Sequence, residues 1–202
     1  MLKRSSYILL AFLSIGVGLY PVIYFIVDRK FGLLSSKTDE LLNAVPWNIG
    51  FYTHIIASGI ALLIGWVQFS KKIRDRNISL HRAIGKTYIL LVIPGSLSGI
   101  FIGWYATGGI VASAGFICLG LAWFFTTLSA YRFIRNMNTE RHREMMLYSY
   151  AACFAAVTLR LWLPLLTFAF GDFNTAYRIV AWLCWVPNLF FVRYFLLKPA
   201  TG

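Results

Sequence analysis

Apolar residues run along the chain in six blocks, each close to 20 positions long and separated by short polar stretches. The blocks read as about Tyr7–Val27, Phe51–Phe69, Gly85–Tyr105, Ile110–Ile134, Met145–Phe168 and Tyr177–Leu197. At ~1.5 Å of rise per residue, about 20 helical residues cross the roughly 30 Å of hydrocarbon in a bilayer. The pattern predicts an all-α, six-transmembrane-helix bundle forming a single membrane domain over residues 1–202. Barrel strands would be shorter and alternating, so an outer-membrane barrel is excluded. Met1–Arg4 ahead of the first block imitates a signal peptide. The run is too long for an h-region, however, and Ser14-Ile15-Gly16-Val17-Gly18 offers no convincing cleavage site, so it reads as the first membrane helix. In the longest connection, Arg29–Gly50, residues Leu33, Leu34, Leu41, Leu42, Val45 and Trp47 fall among polar positions, as in a short interfacial helix.

Composition agrees. The chain is 59% hydrophobic and 13% charged, against about a quarter charged for a soluble domain, which excludes a soluble enzyme or a disordered chain. The net charge of +12 would suggest nucleic-acid binding in a soluble protein. Here no recognition motif accompanies it, and the cations sit mainly in short loops where they set topology and touch anionic lipid headgroups. Membrane lipids are the expected partners, and nucleic acid is not. Lys3, Arg4, Lys71, Lys72, Arg74, Arg76, Arg82, Arg132, Arg135, Arg141, Arg143, Arg193 and Lys198 fall on one side of the bundle. Arg29, Lys30, Lys37 and Arg178 fall on the other, mixed with Asp28, Asp39, Glu40 and Asp172. Both termini are therefore expected in the cytoplasm, with the chain in the bacterial inner membrane. Cys118, Cys153 and Cys184 lie inside apolar blocks without metal-ligand spacing and read as small core residues.

Ionisable groups in or beside a span are costly, so the three histidines carry the most information. His54 is expected to open the second helix, His81 the third and His142 the fifth. Helical steps lead from His54 to Ser58, Ala61, Gly65 and Gln68. From His81 they lead to Gly85, Tyr88, Val92, Gly95 and Gly99, and from His142 to Met146, Ser149, Cys153, Ala156 and Arg160. Small and polar residues mark helix–helix contact in bilayers, so all three rings are expected to face protein. His81 and His142 share a membrane side. Two imidazoles from separate helices are what bis-histidine haem ligation needs, and Arg82, Lys86, Arg141 and Arg143 lie beside them to meet propionates. The competing reading makes the same residues interfacial anchors. Arg160, one turn before Pro164, snorkels outward, bonds main-chain carbonyls freed by the proline, or joins His54 and Asp172 in an outer pocket. Gln68, Tyr88, Pro187 and Asn188 read as bundle lining, packing or kink devices.

Three stretches carry a resemblance: His54-x4-Gly59…Gly65-x2-Gln68-Phe69, Leu80-His81-Arg82-x2-Gly85-Lys86-x-Tyr88, and His142-x3-Met146…Thr158-x-Arg160. With Ala181-Trp182…Pro187-Asn188 near the end, they resemble a large family of bacterial multi-pass membrane proteins of unknown function. The chain is more distantly similar to the six-helix diheme b-type cytochromes, the transmembrane ferric and ascorbate-linked reductases. That likeness implies an inner haem on His81 and His142 and an outer ligand at His54. The start of helix four, Ile110–Gly115, has no histidine to complete an outer pair.

Three functions stay open. The first is a membrane oxidoreductase holding one haem b (iron ligands His81 and His142) and exchanging electrons with a quinone or small redox partner. The second is a cofactor-free ligand binder or transporter using His54, Arg160, Gln68 and Tyr88. The third is a structural membrane subunit.

Overall fold

The computed structural model describes residues 4–27 and 30–197. Lys3, Asp28, Arg29 and Lys198, which enter the expected charge asymmetry, lie outside the described residues. Among the described residues six helical segments are long and apolar enough to span a membrane: Ser5–Phe25, Val45–Phe69, Ile78–Gly103, Ile110–Arg135, Thr139–Phe170 and Phe173–Leu196. The all-α, multi-pass architecture stands. Four of the six start four to seven residues earlier than the apolar pattern alone suggests. Three of these starts are held by side-chain caps, at Asn77, Asn138 and Asp172, and the fourth has Pro46 in its first turn.

The chain folds as two compact units, Met1–Ile102 and Gly103–Gly202. In the first, α1 (Arg4–Leu19) runs into a 3-10 turn over Tyr20–Phe25 that begins around Pro21. The connection that follows is folded. It holds a 3-10 turn, Gly32–Ser36, and the short helix α2 (Asp39–Asn43), capped by the Thr38 hydroxyl. Leu34 and Leu42 from this connection pack with Trp47 and Phe51 of α3 (Val45–Gly65). The Trp47 and Phe51 rings stack at 5.2 Å. A Cβ on Gly59 would stand 2.9 Å from the Gly18 carbonyl, and one on Gly18 would stand 3.0 Å from the Gly59 carbonyl. This is the close backbone crossing of α1 and α3 that small residues permit. After a turn over Trp66–Phe69 come α4 (Lys71–Arg76), capped by Ser70, and α5 (Ile78–Gly103).

In the second unit, two left-handed glycines, Gly108 (φ +99°) and Gly109 (φ +75°), lead into α6 (Ile110–Arg135). The Arg178 Nε donates to the Gly108 carbonyl at 2.7 Å, fastening that turn. The fifth span is broken into α7 (Thr139–Cys153) and α8 (Ala155–Phe170), the sixth into α9 (Phe173–Leu183) and α10 (Val186–Phe191), which ends in a π turn, Val192–Leu196. Asp172 caps α9 through the Asn174 and Thr175 amides. The Thr175 hydroxyl and amide hold its carboxyl below the ordinary carboxylate range. The caps leave Leu, Ile and Phe outward, with Phe168 92% and Ile110 85% exposed, as suits faces turned to acyl chains.

Candidate functional site: histidines tethered to main-chain carbonyls

The helix starts explain where two histidines stand. The Asn77 side chain accepts from the Leu80 amide at 2.9 Å, and its carbonyl accepts from the His81 amide at 3.1 Å. The Asn138 side chain accepts from the Arg141 amide at 3.0 Å, and its carbonyl from the His142 amide at 3.0 Å. Both histidines thus occupy the fourth helical position after an asparagine cap, and an arginine follows each, in a repeated Asn-x3-His-Arg. The parallel is written in the sequence but emerges only once the asparagines are identified as caps.

His54 requires a correction. It does not open its helix: α3 starts at Val45, with Pro46 in the first turn, so His54 lies about two and a half turns inside. Proline suits a helix's first turn because its missing N–H would be unsatisfied there anyway.

Each unit holds a tethered imidazole. The His142 Nδ1 lies 2.9 Å from the Ala130 carbonyl of α6, and the His54 Nδ1 lies 2.7 Å from the Gly95 carbonyl of α5. A carbonyl oxygen only accepts, so Nδ1 carries the proton in both rings, and in the neutral ring the lone pair is on Nε2. A carbonyl fixing the Nδ1 tautomer is the outer-shell arrangement that orients metal-ligating histidines. His54 reaches its partner because α5 presents glycine: a Cβ on Gly99 would lie 2.8 Å from Nδ1 and 2.9 Å from Cε1. His81, half-buried, is joined to Gln68, whose Nε2 donates to the His81 carbonyl at 3.1 Å.

The faces below the rings are buried as the helical phase implies. Tyr88 and Val92 beneath His81 are fully buried, and so is Ser149 beneath His142. Ser149 shares a hydrogen bond of 2.6 Å with Thr127 of α6. Arg82, Lys86, Arg141 and Arg143 are exposed. Arg141 pairs with Glu144 at 3.7 Å. Arg160 is half-buried and its Nη1 donates to the Ala156 carbonyl at 2.9 Å. Gln68 and His81 are brought together, while His54, His142 and Arg160 each reach a main-chain carbonyl. Among the described residues no three His, Cys, Asp or Glu side chains gather as a metal site. An open, mainly apolar cleft of about 580 Å³ runs along α3 past Tyr52 and Thr53, and His54 is not part of its wall.

A polar cluster in the second unit gathers around Asn188, which the sequence marks as bundle lining, packing or a kink device without indicating its partners. The Asn188 side-chain amide donates to the Cys184 carbonyl at 2.9 Å and to the Ala151 carbonyl and Thr158 hydroxyl, both at 3.2 Å. Thr158 also donates to the Cys184 carbonyl. The breaks in spans five and six face each other at this level, and one amide joins them. Proline next to asparagine at Pro187-Asn188 was the available signal: the first removes an N–H from a helix and the second can supply another.

A family model described as a predicted membrane protein (DUF2306) matches residues 51–196. No curated protein and no solved structure matches the chain.

Proposed function

The chain belongs to this family of predicted membrane proteins, and we propose that it is a cytochrome-b-like membrane redox protein. In this reading His81 and His142 would hold one haem b, which would exchange electrons with a quinone or small redox carrier. The observation that carries the reading is the His142 ring held through Nδ1 by the Ala130 carbonyl. Binding iron needs a lone pair on a ring that does not rotate, and this tether leaves the lone pair on Nε2. Imidazole is a ligand type that haem iron takes, and each of the two stands one turn inside an asparagine-capped helix.

Bound haem would supply a one-electron iron couple. The chain's own part is to fix the ligands and meet the propionate charge. Asn77 and Asn138 lock the first turns that carry the two rings. Gln68 ties the backbone of His81 to the preceding turn. Arg82, Lys86, Arg141 and Arg143 place positive charge near the rings in sequence, favourable for carboxylate groups at that level.

The test is an absorption spectrum of the detergent-solubilised protein, expressed with ample haem. A Soret band is expected in the unaltered protein and in His54→Ala, with its loss in His81→Ala and in His142→Ala. A colourless protein, or a band unchanged in the double variant, refutes the reading.

A further inference from the structure

We propose that the elbow joining the second and third spans of the first unit, residues 70–86, is a binding site for the phosphate headgroups of anionic phospholipids. Six cations lie in it, Lys71, Lys72, Arg74, Arg76, Arg82 and Lys86, against the single acid Asp75. That stretch alone supplies a net +5 of the chain's +12. All six are exposed.

The cations are held by a folded frame. Ser70 caps α4 by accepting from the Ile73 amide at 3.3 Å. The Asn77 amide closes that helix on the Ile73 carbonyl at 2.8 Å, and the Asn77 side chain opens the next one. Gln68 ties the preceding turn to the His81 carbonyl. Trp66 packs edge-on against Tyr7 of α1, with ring centroids 5.6 Å apart. Ile73, the one apolar residue of α4, is half-buried, while its basic residues point outward.

The depth of the site follows from one face of α5. Arg82, Lys86 and Leu90 succeed each other at four-residue steps, and all are exposed, Leu90 at 69%. The same outward stripe continues to Leu97, 50% exposed. A stripe that turns from cationic to apolar within two helical turns marks the headgroup–hydrocarbon boundary, between Lys86 and Leu90. Lys86 comes five positions after His81, or about 140° around the helix at 100° per residue. The cationic stripe is therefore not the face that carries His81, Tyr88 and Val92 inward. Exposed Ile78 and Leu80 stand among the cations, the mixture of apolar and basic residues that settles at an anionic interface. The inference rests on the first unit alone and is independent of the haem reading.

The test begins without mutation. The native protein in neutral detergent is supplied with phosphatidylglycerol or phosphatidylcholine, and retained lipid is counted by native mass spectrometry. Selective retention of phosphatidylglycerol, lost as sodium chloride is raised to 0.5 M, is expected. Each cation near a membrane surface contributes about a five-fold gain in affinity. Lys71→Gln with Lys72→Gln should therefore weaken retention about 25-fold, while Lys30→Gln, which removes a cation paired with Asp39 and expected on the other membrane side, leaves it within two-fold. Equal retention of the two lipids overturns the proposal, as does equal loss in the Lys71/Lys72 and Lys30 variants. Displacement of phosphatidylglycerol by millimolar inorganic phosphate overturns it too, because the site would then be one for free phosphate.

Discussion

Asn188 offers the sharpest test of how the second unit is held together. Its amide has two hydrogens and meets three acceptors: the carbonyls of Ala151 and Cys184 and the Thr158 hydroxyl. In Asn188→Leu the side chain keeps its approximate volume and loses both donors. The Cys184 carbonyl retains the Thr158 hydroxyl, so the cost falls mainly on the Ala151 carbonyl and on the tie between the two broken spans. One buried carbonyl deprived of a donor costs about 1–3 kcal/mol. Hydrogen bonds between membrane helices average ~0.6 kcal/mol and reach ~1.7. A destabilisation of about 2 kcal/mol is expected for Asn188→Leu. Asn188→Asp preserves the shape but turns acceptor oxygens toward acceptors, and a carboxylate at the centre of a span costs about 2.5–3.5 kcal/mol. The aspartate variant should be the less stable of the two, although it is the closer isostere. Unfolding the detergent-solubilised protein with increasing mole fraction of dodecyl sulfate gives the order. A cycle with Thr158→Val should show a coupling of at least about 0.5 kcal/mol. A leucine variant as stable as the native protein, or an aspartate variant more stable than the leucine one, would refute the donor-bridge reasoning.

Three further outcomes follow from named contacts. Gly115→Ala places a Cβ 2.8 Å from the Ala181 carbonyl; backbone cannot yield as a side chain can, so a loss of about 1–3 kcal/mol is expected in the same unfolding assay, and a neutral result would show that α6 and α9 can separate freely. Gly99→Ala pushes the His54 ring off the Gly95 carbonyl and should cost about 1–3 kcal/mol, but should become nearly neutral in a His54→Ala background; an equal cost in both backgrounds would rule out the ring as the obstacle. Burial pushes the Lys37 amine, in the connection between the first two spans, down to about 8. The unfolded chain, with an amine near ~10.4, then binds more protons between those values, so stability should rise as pH goes from 8 toward about 10 and this rise should vanish in Lys37→Met; competitive acetylation with a midpoint above pH 10 at this residue would contradict the burial.

The six spans were legible because hydrocarbon thickness fixes their length, and the inward faces because small residues recur at helical spacing. Tyr88, Val92 and Ser149 are fully buried on those faces. The helix starts were not legible from hydropathy. Ile78–Ile84 and Thr139–Glu144 hold polar and charged residues that a hydropathy window rejects, while Asn77 and Asn138 begin the helices by accepting backbone amides. The displacement of His54 into its helix has the same origin, since Pro46 and the packed Trp47 extend α3 beyond its apolar run. The Arg160 guanidinium meets the Ala156 carbonyl, four residues back on its own helical span. The Asn188 bridge depends on bringing Ala151 and Thr158 next to residues some 30 positions later, which no local pattern encodes.

These polar groups share one solution, and it bears on what the bundle can carry. His54, His142, Arg160 and Asn188 all donate to main-chain carbonyls, as do the indoles of Trp182 and Trp185 to Val111 and Ala181. In hydrocarbon a helical carbonyl still has a second lone pair, and it is an acceptor that no substitution removes. The arrangement lets donors stay inside the bundle without an acidic partner. The seven acids are Asp28, Asp39, Glu40, Asp75, Glu140, Glu144 and Asp172. Among the described residues none of these falls in the interior of a span; Glu140 and Glu144 lie within one, in its first two turns. What the interior does present is imidazole with a fixed tautomer and an excess of donors. That chemistry suits a ligand that accepts a lone pair or carries negative charge.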